Sequence, residues 1–384
     1  MPDAEEPTPV DLRARRRLLA ERTILFLVIV AAQLLVFEAG LRLWGGSEAE
    51  PGFQKLFMSD AAIGYRLRPG ARTRFTTTEF ETDIAINGSG VREDGEIGPK
   101  APRERRVVVL GDSIVLAVQV PLRQTFCKRL EDRLNARADG YLYRVIDAGV
   151  QGYGPVEEVL FYERVMARLQ PDFVLLVLYV GNDAEEAARS AFRLTPGSAP
   201  IPDAAQASLS SPLRRIVRRS MVLQTVRLRV VSVTNRFSGL APPEPPLQTF
   251  AASPAPRIAR GLEVTRNAVA RLNGDTRQSG ARLGIVFMPA RLQVDDGDYG
   301  RLREIVSGAG GELVRDAATV RFNESLASLD VPRFDLLPVM RAALPGQDLF
   351  FQQTAHLTPH GHEIVADGLA RFLDAMAAPS GVAR

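Results

Sequence analysis

The chain reads as an α/β fold built on a parallel sheet, and three observations predict it. Val107-Val108-Val109-Leu110 runs straight into Gly111-Asp112-Ser113. Phe173 to Val180 (FVLLVLYV) runs into Gly181-Asn182-Asp183. Around these runs, strand-like stretches alternate with segments of helical periodicity. Continuous apolar runs suit strands buried on both faces. Strands alternating with helices build a parallel sheet covered on both sides.

The elements follow in order. A strand at 105–110 precedes a helix at about 122–138, with Leu122, Phe126, Leu130 and Leu134 on one face. Tyr143 to Ala148 is the second strand and ends in Gly149-Val150-Gln151-Gly152-Tyr153-Gly154. A helix from about 155 to 169 begins at Pro155. Phe173 to Val180 is the third strand. The alternation breaks at about 190–256, which reads as an insertion over the sheet's carboxyl edge. It contains a basic helix at 213–229, with Arg214, Arg215, Arg218 and Arg219, and the Pro-rich stretch 241–246. Regular structure resumes with a helix at 257–279, a fourth strand from Leu283 to Met288, helices near 298–307 and 311–328, and a short fifth strand at Phe334-Asp335-Leu336. A last helix, from about Pro359 to Ala375, turns Ile364, Leu369 and Phe372 inward. The main domain spans 105–376, and 377–384 is a tail. Residues 45–104 form an irregular lead-in with one or two short strands.

The N-terminus follows a different logic. Ile24 to Phe37 is uncharged and almost wholly apolar, and it extends to Trp44 if Glu38 and Arg42 pair. With that extension it reaches the ~20 residues a membrane span needs. Residues 23–44 therefore read as an uncleaved signal anchor. The rival is a cleaved signal peptide, whose apolar region is about 7–15 residues. The long preceding segment and the lack of a small-x-small site favour the anchor. Arg13, Arg15, Arg16, Arg17 and Arg22 precede the run. They keep 1–22 in the cytoplasm and place the rest outside it, in the periplasm of a bacterial cell.

Composition excludes several classes. The 384 residues carry a net charge of only +3, which gives no reason to expect a nucleic-acid partner. The single cysteine, Cys127, rules out an intramolecular disulfide and reads as a buried thiol. Ser307-Gly308-Ala309-Gly310-Gly311 follows a helix and lacks a GK[ST] ending, so no phosphate loop is expected. No cofactor is implied. The arginines at 214–219 read as a solvated face, or as a contact for anionic headgroups or an acidic polysaccharide.

The chemistry concentrates at strand ends. Ser113 follows the first strand, Gly152 the second and Asn182 the third, and such loops converge at one edge of a doubly wound sheet. Far downstream stand the three histidines, His356, His360 and His362. A serine and a distant histidine are the minimum for a nucleophile and its base. The backbone N–H groups of Ser113 and Gly152 and the Asn182 amide are candidate oxyanion donors. Asp112 reads as structural. The histidine spacing alone would fit a metal, but no cysteine or acid joins them, and His362 reads as a packing residue near the start of the last helix.

Gly111-Asp112-Ser113, Gly152, Gly181-Asn182-Asp183 and His356 resemble, in order, the four blocks of the SGNH (GDSL-like) hydrolase family. Anchor and lead-in are similar to those of its bacterial membrane-anchored members. The resemblance covers about 105–188 and 257–375. It implies a flavodoxin-like three-layer α/β/α sandwich with a five-stranded parallel sheet, plus an N-terminal transmembrane helix. It implies ester hydrolysis or acyl transfer through an acyl-serine. Ser113 would be the nucleophile, His356 the base, and Ser113, Gly152 and Asn182 the oxyanion hole.

One departure matters. The family places an aspartate two or three residues before the catalytic histidine, where this chain has Thr354 and Gln353. Asp348 is the nearest upstream acid. A Ser-His dyad results, with a backbone carbonyl or the Thr354 hydroxyl to orient His356. Loss of the acid costs about 10⁴ in kcat in a well-studied triad. Asp147 also stands where relatives often carry asparagine. Three readings stay open: an extracytoplasmic esterase acting on acyl esters such as the O-acetyl groups of an envelope polysaccharide, an O-acyltransferase using the same residues, and a catalytically silent glycan-binding or assembly protein.

Overall fold

The structure is a computed structural model that describes residues 53–190, 247–343 and 348–378, with a few helical positions between 21 and 33. The basic helix at 213–229, the Pro-rich stretch and most of the 23–44 run lie outside the described residues. Among the described residues no helix is long and apolar enough to cross a membrane. The described side chains Leu25, Phe26, Val28 and Ile29 are exposed. Contacts divide the chain into one unit of residues 1–50 with 201–243 and another of 51–200 with 244–384. The second unit holds the sheet.

The lead-in is not irregular. It forms two antiparallel hairpins, β1 (Phe57–Asp60) with β2 (Gly64–Leu67), and β3 (Arg72–Thr76) with β4 (Glu81–Ala85). Asp60 turns the first hairpin by accepting the N–H groups of Ala62 and Ile63 at 3.0 and 3.1 Å. Arg74 crosses the second to reach Asp83 at 2.8 Å and Glu81 at 3.1 Å. Few inward side chains mark these strands, so their alternation is nearly silent in hydropathy. Ile63, Leu67, Ile84, Ile86 and Val91 nevertheless enter the main core.

Five parallel strands make the central sheet: β5 (Glu104–Gly111), β6 (Leu142–Gly149), β7 (Phe173–Tyr179), β8 (Arg282–Met288) and β9 (Arg333–Asp335). Their spatial order is β6-β5-β7-β8-β9, a common doubly wound order. Successive residues enter opposite cores, as the period of a strand demands. Val108, Leu110, Val174 and Leu176 join one core, and Val107, Val109, Leu175 and Val177 join the other.

The helices are α1 (Ser113–Leu116), α2 (Phe126–Asn135), α3 (Pro155–Phe161), α4 (Asp183–Ser190), α5 (Pro256–Ser279), α6 (Arg291–Val294), α7 (Asp296–Gly308), α8 (Ala317–Ser325), α9 (Leu337–Ala343) and α10 (Pro359–Ala377). The first core is closed by α3, α5 and α8 through Val159, Leu272 and Phe322. The second is closed by α2, α9 and α10 through Leu130, Met340 and Leu369. Each such fully buried apolar side chain contributes roughly 1.5–3 kcal/mol. Cys127 is a buried free thiol. Phe250, at the end of the 190–256 stretch, is fully buried, so that stretch rejoins the core before α5 begins. The chain winds away from β5 in both directions, and the crevice at the carboxyl ends of β5 and β7 is the topological switch point.

Candidate active site

Three loops reach that crevice. In the first, β5 ends at Gly111 and Asp112 caps α1 by accepting the Ile114 N–H at 2.8 Å. This places Ser113 on the first residue of α1, half-buried at the sheet edge. The short helix stops where Ala117 turns left-handed at φ 49°. Its freed carbonyls are taken by Arg92 of the lead-in, which is 1% exposed. The guanidinium donates to Leu116, Ala117 and Val120 at 2.8, 2.5 and 2.6 Å. Close approach from the second loop also constrains α1. A Cβ on Gly149 would lie 2.2 Å from the Leu116 nitrogen.

The second loop turns at Gly152, with φ +73°, a conformation that costs an L-residue roughly 1–2 kcal/mol. The Tyr65 hydroxyl donates to the Gln151 carbonyl at 2.7 Å. That carbonyl and the Gly152 N–H belong to one planar peptide. Holding the oxygen therefore aims the N–H the opposite way.

In the third loop Asn182 precedes α4, and its carbonyl accepts the Glu185 N–H at 2.9 Å. Its amide nitrogen donates to Glu186 at 3.0 Å, which leaves the second amide hydrogen for another acceptor. Around it crowd Asp112, Glu158, Asp183 and Glu186. Burial pushes Asp112 up to about 6. Burial and the Asp112 charge push Glu186 up to about 8. Burial and the neighbouring carboxyls hold Glu158 and Asp183 well above the carboxylate range. In all three the burial favours the protonated carboxyl over the carboxylate.

Ser113 and His356 come together. His356 Nε2 lies 3.0 Å from Ser113 Oγ. Among the described residues the half-buried ring has no hydrogen-bond partner on Nδ1. Burial lowers its pKa to about 4, with no facing charge to oppose the fall. Neither local substitute for the expected aspartate reaches the ring. The Thr354 hydroxyl accepts the His356 backbone N–H at 3.3 Å. The Gln353 side chain accepts from Thr78 at 3.0 Å. Asp348 meets the Gln352 amide at 3.3 Å.

The other residues singled out from the sequence have other places. His362 is buried, accepts the Phe126 N–H on Nδ1 at 3.1 Å and stacks on that ring. Burial, then the Arg92 charge, lowers it to about 3. Asp147 lies under the second loop, where Oδ1 accepts the Gly149 N–H at 3.1 Å. Burial pushes it up to about 7. Among the described residues no group of three His, Cys, Asp or Glu is placed to hold a metal ion. A cavity of about 470 Å³ opens beside Arg72, Asp83, Arg92 and Asp94, away from Ser113. Sequence reasoning missed Tyr65, Glu79 and Arg92, because nothing in a polar, weakly patterned lead-in singles them out.

No family model and no curated protein matches the chain. Solved structures are similar to it at low identity. An acetylxylan esterase from Geobacillus stearothermophilus, a catalytic mutant, shares 11% identity over 72% of this chain and 96% of its own, with a TM-score of 0.37. The lipase/acylhydrolase from Enterococcus faecalis shares 12% over 72% and 100%, with a TM-score of 0.39. A G-D-S-L family protein from Desulfitobacterium hafniense shares 10% over 70% and 98%, with a TM-score of 0.35.

Proposed function

We propose that the chain is a serine esterase that works through an acyl-serine on Ser113, with His356 as its base. The carrying observation is the 3.0 Å contact between Ser113 Oγ and His356 Nε2 at the switch-point crevice. Ser113 Oγ attacks the acyl carbon as its proton passes to Nε2. The imidazolium then protonates the leaving alkoxide. Water, deprotonated by the same nitrogen, attacks the acyl-serine, and that proton passes from Nε2 to Ser113 Oγ as the carbon–Oγ bond breaks and the acid leaves. The Ser113 and Gly152 N–H groups and the Asn182 amide stabilise the tetrahedral oxyanion. With no acid on Nδ1 among the described residues, the site runs as a dyad and its turnover is modest.

The finer reading adds location and substrate. The arginines before Ile24 and the exposed Leu25, Phe26, Val28 and Ile29 support a membrane anchor with the catalytic unit outside the cytoplasm. That location suits acyl, including O-acetyl, esters of an envelope polysaccharide. If a sugar hydroxyl replaces water at the second step, the same residues perform acyl transfer.

A fluorophosphonate tests the proposal on the full-length chain. The folded wild type should be labelled, and Ser113→Ala should not. A membrane-impermeant version should label spheroplasts. A folded wild type that never reacts makes the silent binding protein the better reading.

A further inference from the structure

The loop that carries His356 is short, exposed and stripped of its usual acid. Gln352, Gln353 and Ala355 are exposed. From within, the Phe351 N–H donates to the His356 carbonyl at 2.9 Å, the Thr354 hydroxyl accepts the His356 N–H at 3.3 Å, and the Thr358 N–H donates to the Leu349 carbonyl at 3.0 Å. Further anchors come from elsewhere in the chain. On one side Arg291 donates to the carbonyls of Phe351 and Gln352 at 3.0 and 3.2 Å. On the other side stands the turn of the β3–β4 hairpin. Glu79 there accepts the Gln352 N–H at 2.7 Å on one oxygen and the Gln353 N–H at 3.0 Å on the other. Thr78 donates to the Gln353 side chain, and Phe80 packs on Phe351 with ring centroids 5.4 Å apart. A guanidinium thus holds the loop's carbonyls and a carboxylate holds its N–H groups. Hydrogen bonds to charged groups are the strong ones.

We propose that Glu79 is a positioning residue for His356. It grips the N–H groups of Gln352 and Gln353, three to four residues before His356, and holds the loop, rather than the ring, in register with Ser113. The role rests on the esterase reading for its catalytic meaning. The grip itself does not. Glu79 does not touch the imidazole, so it sets geometry and leaves the base strength of His356 unchanged.

The test uses the full-length chain with p-nitrophenyl acetate, together with hydrogen exchange of the peptide spanning 350–357. Glu79→Gln keeps size but turns an amide NH₂ toward one of the two N–H donors. It should lower kcat about 10–100-fold, leave KM within twofold, leave the acid limb of the pH profile in place and speed exchange at 352–353 at least tenfold. Glu79→Asp keeps both acceptors and should recover most of the rate. A shifted acid limb in Glu79→Gln means that the carboxylate acts on the ring, and it overturns the proposal. Unchanged kcat and unchanged exchange in a folded Glu79→Gln protein overturn it as well. An inert wild type whose 352–353 protection still depends on Glu79 refutes the esterase reading alone and leaves the grip standing.

Discussion

Thr354→Asp is the perturbation that speaks most directly to the missing acid. Burial takes His356 from 6.5 to about 4, which corresponds to roughly 3 kcal/mol against the imidazolium at ~1.4 kcal/mol per pKa unit. Solvent at the half-buried ring screens part of this. The same penalty applies when the ring accepts the Ser113 proton, so a facing carboxylate should recover about 10–100-fold in kcat. Of the two candidate positions, Thr354 is the better placed. Its hydroxyl already turns toward the His356 backbone, whereas Gln353 turns toward Thr78. Gln353→Asp should therefore gain little. The pH dependence has a definite sign. The base must be neutral, so activity falls as pH drops through its pKa. Wild-type kcat/KM should hold down to about pH 5 and fall near the His356 value of about 4. A carboxylate at 354 favours the imidazolium, raises that pKa and moves the acid limb upward by one to two pH units, roughly in line with a close charge partner. Ester hydrolysis from pH 4 to 8, with circular dichroism at each pH to confirm folding, measures both effects. A wild-type limb already near 6.5, or a folded Thr354→Asp protein with neither a higher plateau nor a moved limb, would refute the reasoning.

Two further outcomes are expected. Asn182→Ala should lower kcat about 10²–10³-fold with little change in KM, and a folded variant with wild-type kcat removes Asn182 from the oxyanion hole. Glu158 is 1% exposed with no hydrogen-bond partner on either oxygen among the described residues, and its pKa is raised by burial and then by Asp112. Its stabilising effect is full below the unfolded value of about 4.5 and is lost as pH rises toward the folded value. In thermal melts at pH 5 and 8.5, Glu158→Gln should gain on the wild type at the higher pH, and an unchanged gap counts against a buried neutral acid.

How much of this was legible depended on where the physics left a mark in hydropathy. Val107 to Leu110 and Phe173 to Tyr179 are buried on both faces, so their runs are unbroken and their ends are sharp. The loops after them carry Ser113 and Asn182, and the same logic located Gly152 after β6. The helix foreseen at 122–138 begins only at Phe126, because Thr125 caps it and Leu122 to Gln124 form a separate 3-10 turn. The lead-in hairpins were not legible. In β3, Arg72, Arg74 and Thr76 face solvent, and only Thr73 and Phe75 turn partly inward. Nor was Glu79, since its partners Gln352 and Gln353 lie at the other end of the chain and one surface glutamate resembles another.

The lead-in touches each loop of the site with a different strength, and that ordering says what each contact does. Arg92 puts a buried charge on three carbonyls behind Ser113. Its loss would leave those acceptors buried and unpaired, so its role cannot be separated from folding. The Tyr65 hydroxyl donates a neutral bond to the Gln151 carbonyl, worth about 1 kcal/mol, and through the rigid peptide it orients a single N–H at Gly152. Glu79 holds an exposed loop where water can take over its N–H groups, so in the proposed role its removal costs little in stability while freeing the loop that carries His356. Strand ends bring Ser113, the Gly152 turn and Asn182 to one edge. Precision beyond that comes from the hairpins that precede the sheet. A chain trimmed to the sheet and its helices would keep Ser113, Gly152, Asn182 and His356 and lose the contacts from Arg92, Tyr65 and Glu79.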